Sequence, residues 1–185
     1  VGEVLTELAG MKIRENIVIR RFERREGVLA SYIHNGGSIG VLVRMETNLS
    51  ADQVAEVGKN VAMQSAAMNA SYLNREAVPA EVLENEKTII MAQMAEDPKT
   101  ASKSEQVRAK IAEGKVGKYY SENCLLEQTF VRSDLFEGTV AKYVADAAKK
   151  LGGTIEVVEC IRYERGEGVE KKADDFAAEV AAMAK

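Results

Sequence analysis

A chain of 185 residues with 46% hydrophobic and 29% charged side chains has enough apolar material for a buried core and the composition of an ordinary globular protein. A formal net charge of -4 and an aromatic content of 5% argue against a nucleic-acid surface, which needs a basic stripe to neutralise phosphates, and favour a protein partner. No apolar run approaches the roughly 18 residues that cross a bilayer, and two cysteines without CxxC spacing, Cys124 and Cys160, read as reduced thiols, so a cytoplasmic protein is expected.

In chain order, Val4, Leu5, Leu8 and Met11 recur at helical spacing and predict an amphipathic helix over residues 1–14. Residues 15–25, ENIVIRRFERR, put Ile17 and Ile19 on one side and Val18 and Phe22 on the other, which predicts a strand with one wet face. The Arg21, Arg24 and Arg25 cluster reads as solvated charge that keeps a strand edge from pairing. Residues 27–45, GVLASYIHNGGSIGVLVRM, are the organising stretch: two alternating apolar runs flank a turn made of Asn35, Gly36 and Gly37, which tolerate positive φ. This predicts a β-hairpin with the sole histidine, His34, at its lip.

Ser50-Ala51-Asp52-Gln53 is a capping-box pattern opening a helix whose apolar and small face is Val54, Val57, Gly58, Val61, Ala62, Ser65 and Met68, with Met68 expected in the core. Pro79 opens a further helix that stops before Pro98, and residues 104–120 carry Val107, Ile111, Val116 and Tyr119 at helical spacing. The pair predicts an antiparallel helical hairpin. Its seams are thin and polar, with Glu86, Gln93 and Lys115 near the apolar positions, so it either projects from the body or forms a layer over the sheet. Cys124 reads as a small buried hydrophobe, since the only histidine lies in a distant hairpin and no base stands near it in the sequence. Thr139 caps a helix bearing Val140, Tyr143, Val144, Ala147 and Leu151, which Gly152-Gly153 ends. Residues 154–163, TIEVVECIRY, are β-branched and predict a third strand, and residues 172–185 a terminal helix with Phe176, Ala177, Val180 and Met183 on one stripe.

Catalytic constellations are scarce. A single histidine leaves no imidazole relay, and no GxxxxGK[ST], GxGxxG or GxSxG element is present. The expectation from residues alone is an α+β interaction domain with no catalytic residues, no metal site and no cofactor.

The order KIRENIVIRRF, YIHNG with IGVLVRM, VAMQSAAMNASYLNRE with VPAEVLENEK, CLLEQTFV and RYERGEGVEKKADDFAAEVAAM closely resembles the bacterial translation elongation factor Ts family, from about Met11 onward. The resemblance implies an α+β fold: a small antiparallel sheet packed with helices, a projecting antiparallel helical hairpin at about 78–121 and a C-terminal helix. It implies a remnant of a first core subdomain over residues 1–26, a second core subdomain over 27–168 and a C-terminal module over 169–185. The helical module and the Thr-Asp-Phe-Val wedge with which the family begins are expected to be absent.

The function implied is guanine-nucleotide exchange on elongation factor Tu, by binding and distorting that GTPase until it releases GDP. The family performs no covalent chemistry, so the chain is not expected to be an enzyme, to bind nucleotide directly, or to bind nucleic acid or membrane. The partner-contacting positions that match are Ile13, His34, Val131 and Met183. Arg14 stands where the family has glycine and Thr129 where it has proline, which leaves local backbone shape open. Without the wedge, binding with weak exchange is the expectation. Homodimerisation through the helical hairpin or an exposed strand edge, and a scaffold domain with another partner, remain the alternatives.

Overall fold

The computed structural model describes residues 2–13, the last three by backbone only, and residues 19–168. Helix α1 (Gly2–Glu7) continues into wider π-type turns over Leu8–Ile13, as the spacing of its apolar residues predicts. The hairpin follows: β1 (Val28–His34), a 3-10 turn over Asn35–Gly37 and β2 (Ile39–Thr47). Asn35, Gly36 and Gly37 all have positive φ, 47°, 61° and 92°, which is the conformation the turn residues were read for. With β3 (Ile155–Glu164) they form an antiparallel sheet in the order β1-β2-β3.

Alternation along the strands fixes which face is buried. Ala30 on β1, Val41, Val43 and Met45 on β2 and Val157 on β3 face the helices and are buried. A bulge between Arg44 and Met45 moves the β3 partner from Glu159 to Val157. It lets Val157 and Cys160, three residues apart, serve the same face, and the Cys160 Sγ meets the Ser65 Oγ of the overlying helix at 3.3 Å.

That helix is α2 (Ala51–Met68). It begins with the predicted box: the Ser50 hydroxyl accepts from the Gln53 N–H, and the Ser50 N–H donates to the Gln53 Oε1 at 3.0 Å. Val54, Val57, Gly58, Val61, Ala62 and Ser65 are buried, but Met68, the last residue of α2 before the left-handed Asn69 ends the helix, is 48% exposed. Gly58 marks the close approach of helix to sheet. A Cβ there would stand 2.5 Å from the Met45 Cε and 2.6 Å from the Ala30 Cβ. The methionine tip can move aside; the alanine Cβ is fixed to strand backbone. Gly58→Ala is therefore expected to lower stability by about 1–2 kcal/mol in urea unfolding, because overpacking of about 1–3 kcal/mol outweighs the roughly 1 kcal/mol of helix propensity gained. An unchanged or raised unfolding midpoint would show that α2 rides higher on the sheet than this.

Beyond α2, α3 (Ala80–Glu96) ends where predicted, and Pro98 opens the short α4 (Pro98–Ala101) with Asp97 accepting from the Lys99 N–H. Helix α5 (Glu105–Asn123) returns along α3, and the two share one cleft lined by Lys87, Met91, Arg108 and Tyr120 and another lined by Glu86, Gln93, Lys118 and Glu122. Only Ile90 and Met94 of α3 are buried and no residue of α5 is, so the pair is a helical hairpin with little core of its own. Helix α6 (Val140–Leu151) starts at Thr139 and ends at Gly152, φ 71°. It lays Val140, Tyr143 and Val144 on the core cluster, which also takes in Leu125 and Phe130. The fold is α+β, with helices on one face of a small antiparallel sheet.

One expected element differs. Residues 19–26 form no strand, and 15–18 lie outside the described residues. The segment is tied to the sheet by side chains in place of a backbone ladder. Arg25 donates from Nε to both Glu159 carboxylate oxygens at 3.0 and 2.9 Å, Tyr163 donates to Glu23 at 3.0 Å, and the Arg21 guanidinium lies 4.3 Å over the Tyr163 ring. Arg21 and Arg25 are thus engaged and not merely solvated, and the described sheet ends at β1 and β3, so the expected strand edge is not formed over residues 19–25. The predicted terminal helix, 172–185, lies outside the described residues.

Candidate partner-binding surface

His34 is the last residue of β1, opposite Ile39, and is exposed. Its carbonyl accepts from the Ser38 N–H at 3.1 Å and the Ser38 hydroxyl at 3.3 Å, which closes the turn beneath it. Its Nδ1 lies 3.0 Å from the Tyr32 Oη. Period-two alternation puts both rings on one face of β1, and Tyr32 packs against the core cluster while its hydroxyl reaches the rim.

Val131 is 42% exposed and follows the fully packed Phe130, whose ring stacks on Tyr143 with centroids 4.1 Å apart and an interplanar angle of 13°. Two backbone bonds hold this loop to the start of α6: Phe130 N–H to the Gly138 carbonyl at 2.8 Å and Val140 N–H to the Gln128 carbonyl at 3.0 Å. Neither uses the Thr129 N–H, so the pairing on this side survives the exchange of a proline for threonine at that position. A second anchor comes from α2. The Gln64 side chain, 0% exposed, accepts from the Val131 N–H at 2.8 Å and donates to the Gln128 Oε1 and the Thr129 carbonyl, each at 3.1 Å. The Gln128 amide in turn donates to the Glu122 carbonyl at the end of α5 at 2.9 Å.

These buried amides, and Tyr32, were not singled out in the sequence. The Tyr-x-His spacing in a strand was a readable sign for Tyr32; nothing local marks Gln64, which shares the buried side of α2 with the polar Asn60 and Ser65. His34 and Val131 sit on separate elements, and no hydrogen bond or ring contact among the described residues joins them. Ile13 is described by its backbone only, at the end of the π-type turns, and Met183 lies outside the described residues.

The chemistry elsewhere is that of structure. Cys124 is fully buried and burial pushes its thiol up to about 11; burial likewise raises Cys160. Both are protonated near neutral pH and poor nucleophiles. Among the described residues no three His, Cys, Asp or Glu side chains gather as metal ligands, and no helix is long and apolar enough to cross a membrane. A cleft of about 610 Å3 along α3 and α5 mixes Arg75, Lys87, Glu105 and Arg108 with Met91 and Tyr120. Arg75 there is committed to Glu127, with bonds of 2.7 and 2.6 Å.

His34 at the hairpin tip and Val131 on a loop anchored from α2 and α6 are both exposed on this α+β domain. Comparison with known proteins identifies it further. The family described as Elongation factor TS matches residues 1–167. Elongation factor Ts of Clostridium kluyveri is 45% identical over 184 residues, and that of Clostridium botulinum 43% over 183, each covering 97% of this chain. The chain belongs to the elongation factor Ts family. It spans 58% and 57% of the length of those two relatives.

Proposed function

We propose that this chain serves translation elongation as a binding portion of a guanine-nucleotide exchange factor, with elongation factor Tu as its partner. Family membership over residues 1–167 carries the reading, and the exposure of His34 and Val131 on stiff supports favours them as contacts. Ile13 and Met183 complete the proposed surface. The chain acts by binding and not by covalent chemistry, in the cytoplasm. Its proposed division is a leading segment over 1–26, a core subdomain over 27–168 carrying the helical hairpin, and a C-terminal module over 169–185. Self-association, where it occurs, uses the helical hairpin, whose apolar residues find little cover in the described structure.

Exchange is differential binding. The factor accelerates GDP loss only to the extent that it holds the nucleotide-free partner more tightly than the GDP-bound one. Linkage makes the effect reciprocal, with couplings of about 5- to 150-fold typical of such systems. Fluorescent-GDP release from elongation factor Tu tests this directly. The chain is expected to bind nucleotide-free elongation factor Tu, to lose affinity as GDP is added, and to speed release modestly. His34→Ala should weaken binding about tenfold, within the range for removing a central contact, with the thermal unfolding midpoint unchanged because the ring supports no core packing. Equal affinity for the free and GDP-bound partner would sink the exchange reading. Unaltered binding by the folded variant would remove His34 from the surface.

A further inference from the structure

The hairpin tip offers more than an exposed imidazole. Tyr32 and His34 are two residues apart on β1, their ring centroids are 5.8 Å apart at an interplanar angle of 38°, and the Tyr32 Oη meets the His34 Nδ1 at 3.0 Å. Tyr32 Oη has no other hydrogen-bond partner among the described residues. A tyrosine hydroxyl can donate or accept at this distance, and the arrangement in which it donates takes Nδ1 of a neutral imidazole as the acceptor. The remaining ring proton is placed on Nε2, the nitrogen turned away from the tyrosine. Both supports of this pair are stiff: the body of Tyr32 packs on the core cluster, and the His34 carbonyl is held by Ser38.

We propose that Tyr32 is a positioning residue that locks His34 as the Nε2–H tautomer, so that the hairpin tip presents a single aimed hydrogen-bond donor to an oxygen acceptor, a carbonyl or carboxylate, on the partner. This rests on the reading of His34 as a contact to elongation factor Tu. The lock has a thermodynamic purpose. A free imidazole divides between two tautomers and several ring rotations, and binding must select one of them; an internal donor makes that selection before the encounter.

The chain holds one histidine, so nitrogen-15 imidazole spectra report His34 without ambiguity. At mildly alkaline pH, where an imidazole is neutral, the wild-type chain should show Nδ1 as acceptor and the proton on Nε2. Tyr32→Phe, which keeps the packed ring, should release the imidazole into a mixture of tautomers. It should also weaken binding to elongation factor Tu about three- to tenfold, the worth of one hydrogen bond. In a His34→Ala background Tyr32→Phe should change binding no further. Imidazole signals unaffected by Tyr32→Phe, a wild-type proton on Nδ1, or equal weakening in both backgrounds would overturn the proposal. The two readings separate cleanly. A free wild-type chain without the Nε2–H tautomer refutes the role of Tyr32 alone, whereas a His34→Ala chain that binds normally refutes the contact reading and with it the use of the lock.

Discussion

Truncating Phe130 to alanine should cost about 3–5 kcal/mol of unfolding free energy, the range for removing a buried aromatic side chain. The ring is 2% exposed and stacked on Tyr143, and the Tyr143 hydroxyl accepts from the Asn60 amide at 2.8 Å, so the cavity opens between α2, α6 and the loop that carries Val131. Neighbours cannot close it cheaply. Tyr143 is tethered by Asn60, and the backbone of Phe130 is tethered to Gly138. In a domain of this size such a loss lowers the thermal midpoint by roughly 6–20 °C, a large share of the 5–15 kcal/mol that typically separates folded from unfolded states. Differential scanning calorimetry measures it. Phe130→Leu should recover much of the loss, and a Phe130→Ala midpoint within a degree or two of wild type would mean that the stacked pair is not a keystone of this core.

Replacing Gln64 by leucine is the second large effect, expected at about 2–4 kcal/mol although volume is nearly conserved. The substitution removes three hydrogen bonds and leaves the Val131 N–H, the Gln128 Oε1 and the Thr129 carbonyl without their partner in a buried to part-buried site. Each such orphan costs about 1–3 kcal/mol, less when the loop can relax toward water. Relaxation is the informative part. The Val131 amide should change from slowly to rapidly exchanging in hydrogen-exchange measurements, ahead of the core strands, and binding through Val131 should weaken with it. Slow exchange at Val131 in the leucine variant would mean that the bonds to Gly138 and Gln128 hold this loop without help from α2.

The two substitutions probe parts of the molecule that differ in how far the sequence announces them. Phe130 lies in an apolar run, so its burial follows from hydrophobicity. Gln64, with Asn60 and Ser65, interrupts the apolar face of α2; propensity and periodicity see a break where the structure has a satisfied amide bridging two elements. The same division separates the two described residues of the proposed contact surface. The place of His34 at the turn was legible because Asn35, Gly36 and Gly37 fix it locally, its contact role only through family resemblance, and the bond with Tyr32 needed a strand conformation to bring the rings together. Val131 was legible only through family resemblance, since its exposure depends on a loop pinned by residues at positions 64, 138 and 140.

By itself the sequence determined the elements whose causes lie within a few residues: the hairpin, the Ser50–Gln53 box, the Thr139 and Gly152 ends of α6, the break at Pro98 and the apolar faces of α2 and β3. Tertiary structure decided what covers those faces. It left Met68 exposed at the end of α2, and it brought Val157 and Cys160 to one side through a bulge. It also held residues 19–26 by Arg25, Glu23 and Arg21 to Glu159 and Tyr163, where alternation alone had indicated a strand. Periodicity states which way a side chain points. Whether another element stands there to meet it is settled by contacts more than a hundred residues away along the chain, such as Arg25 with Glu159.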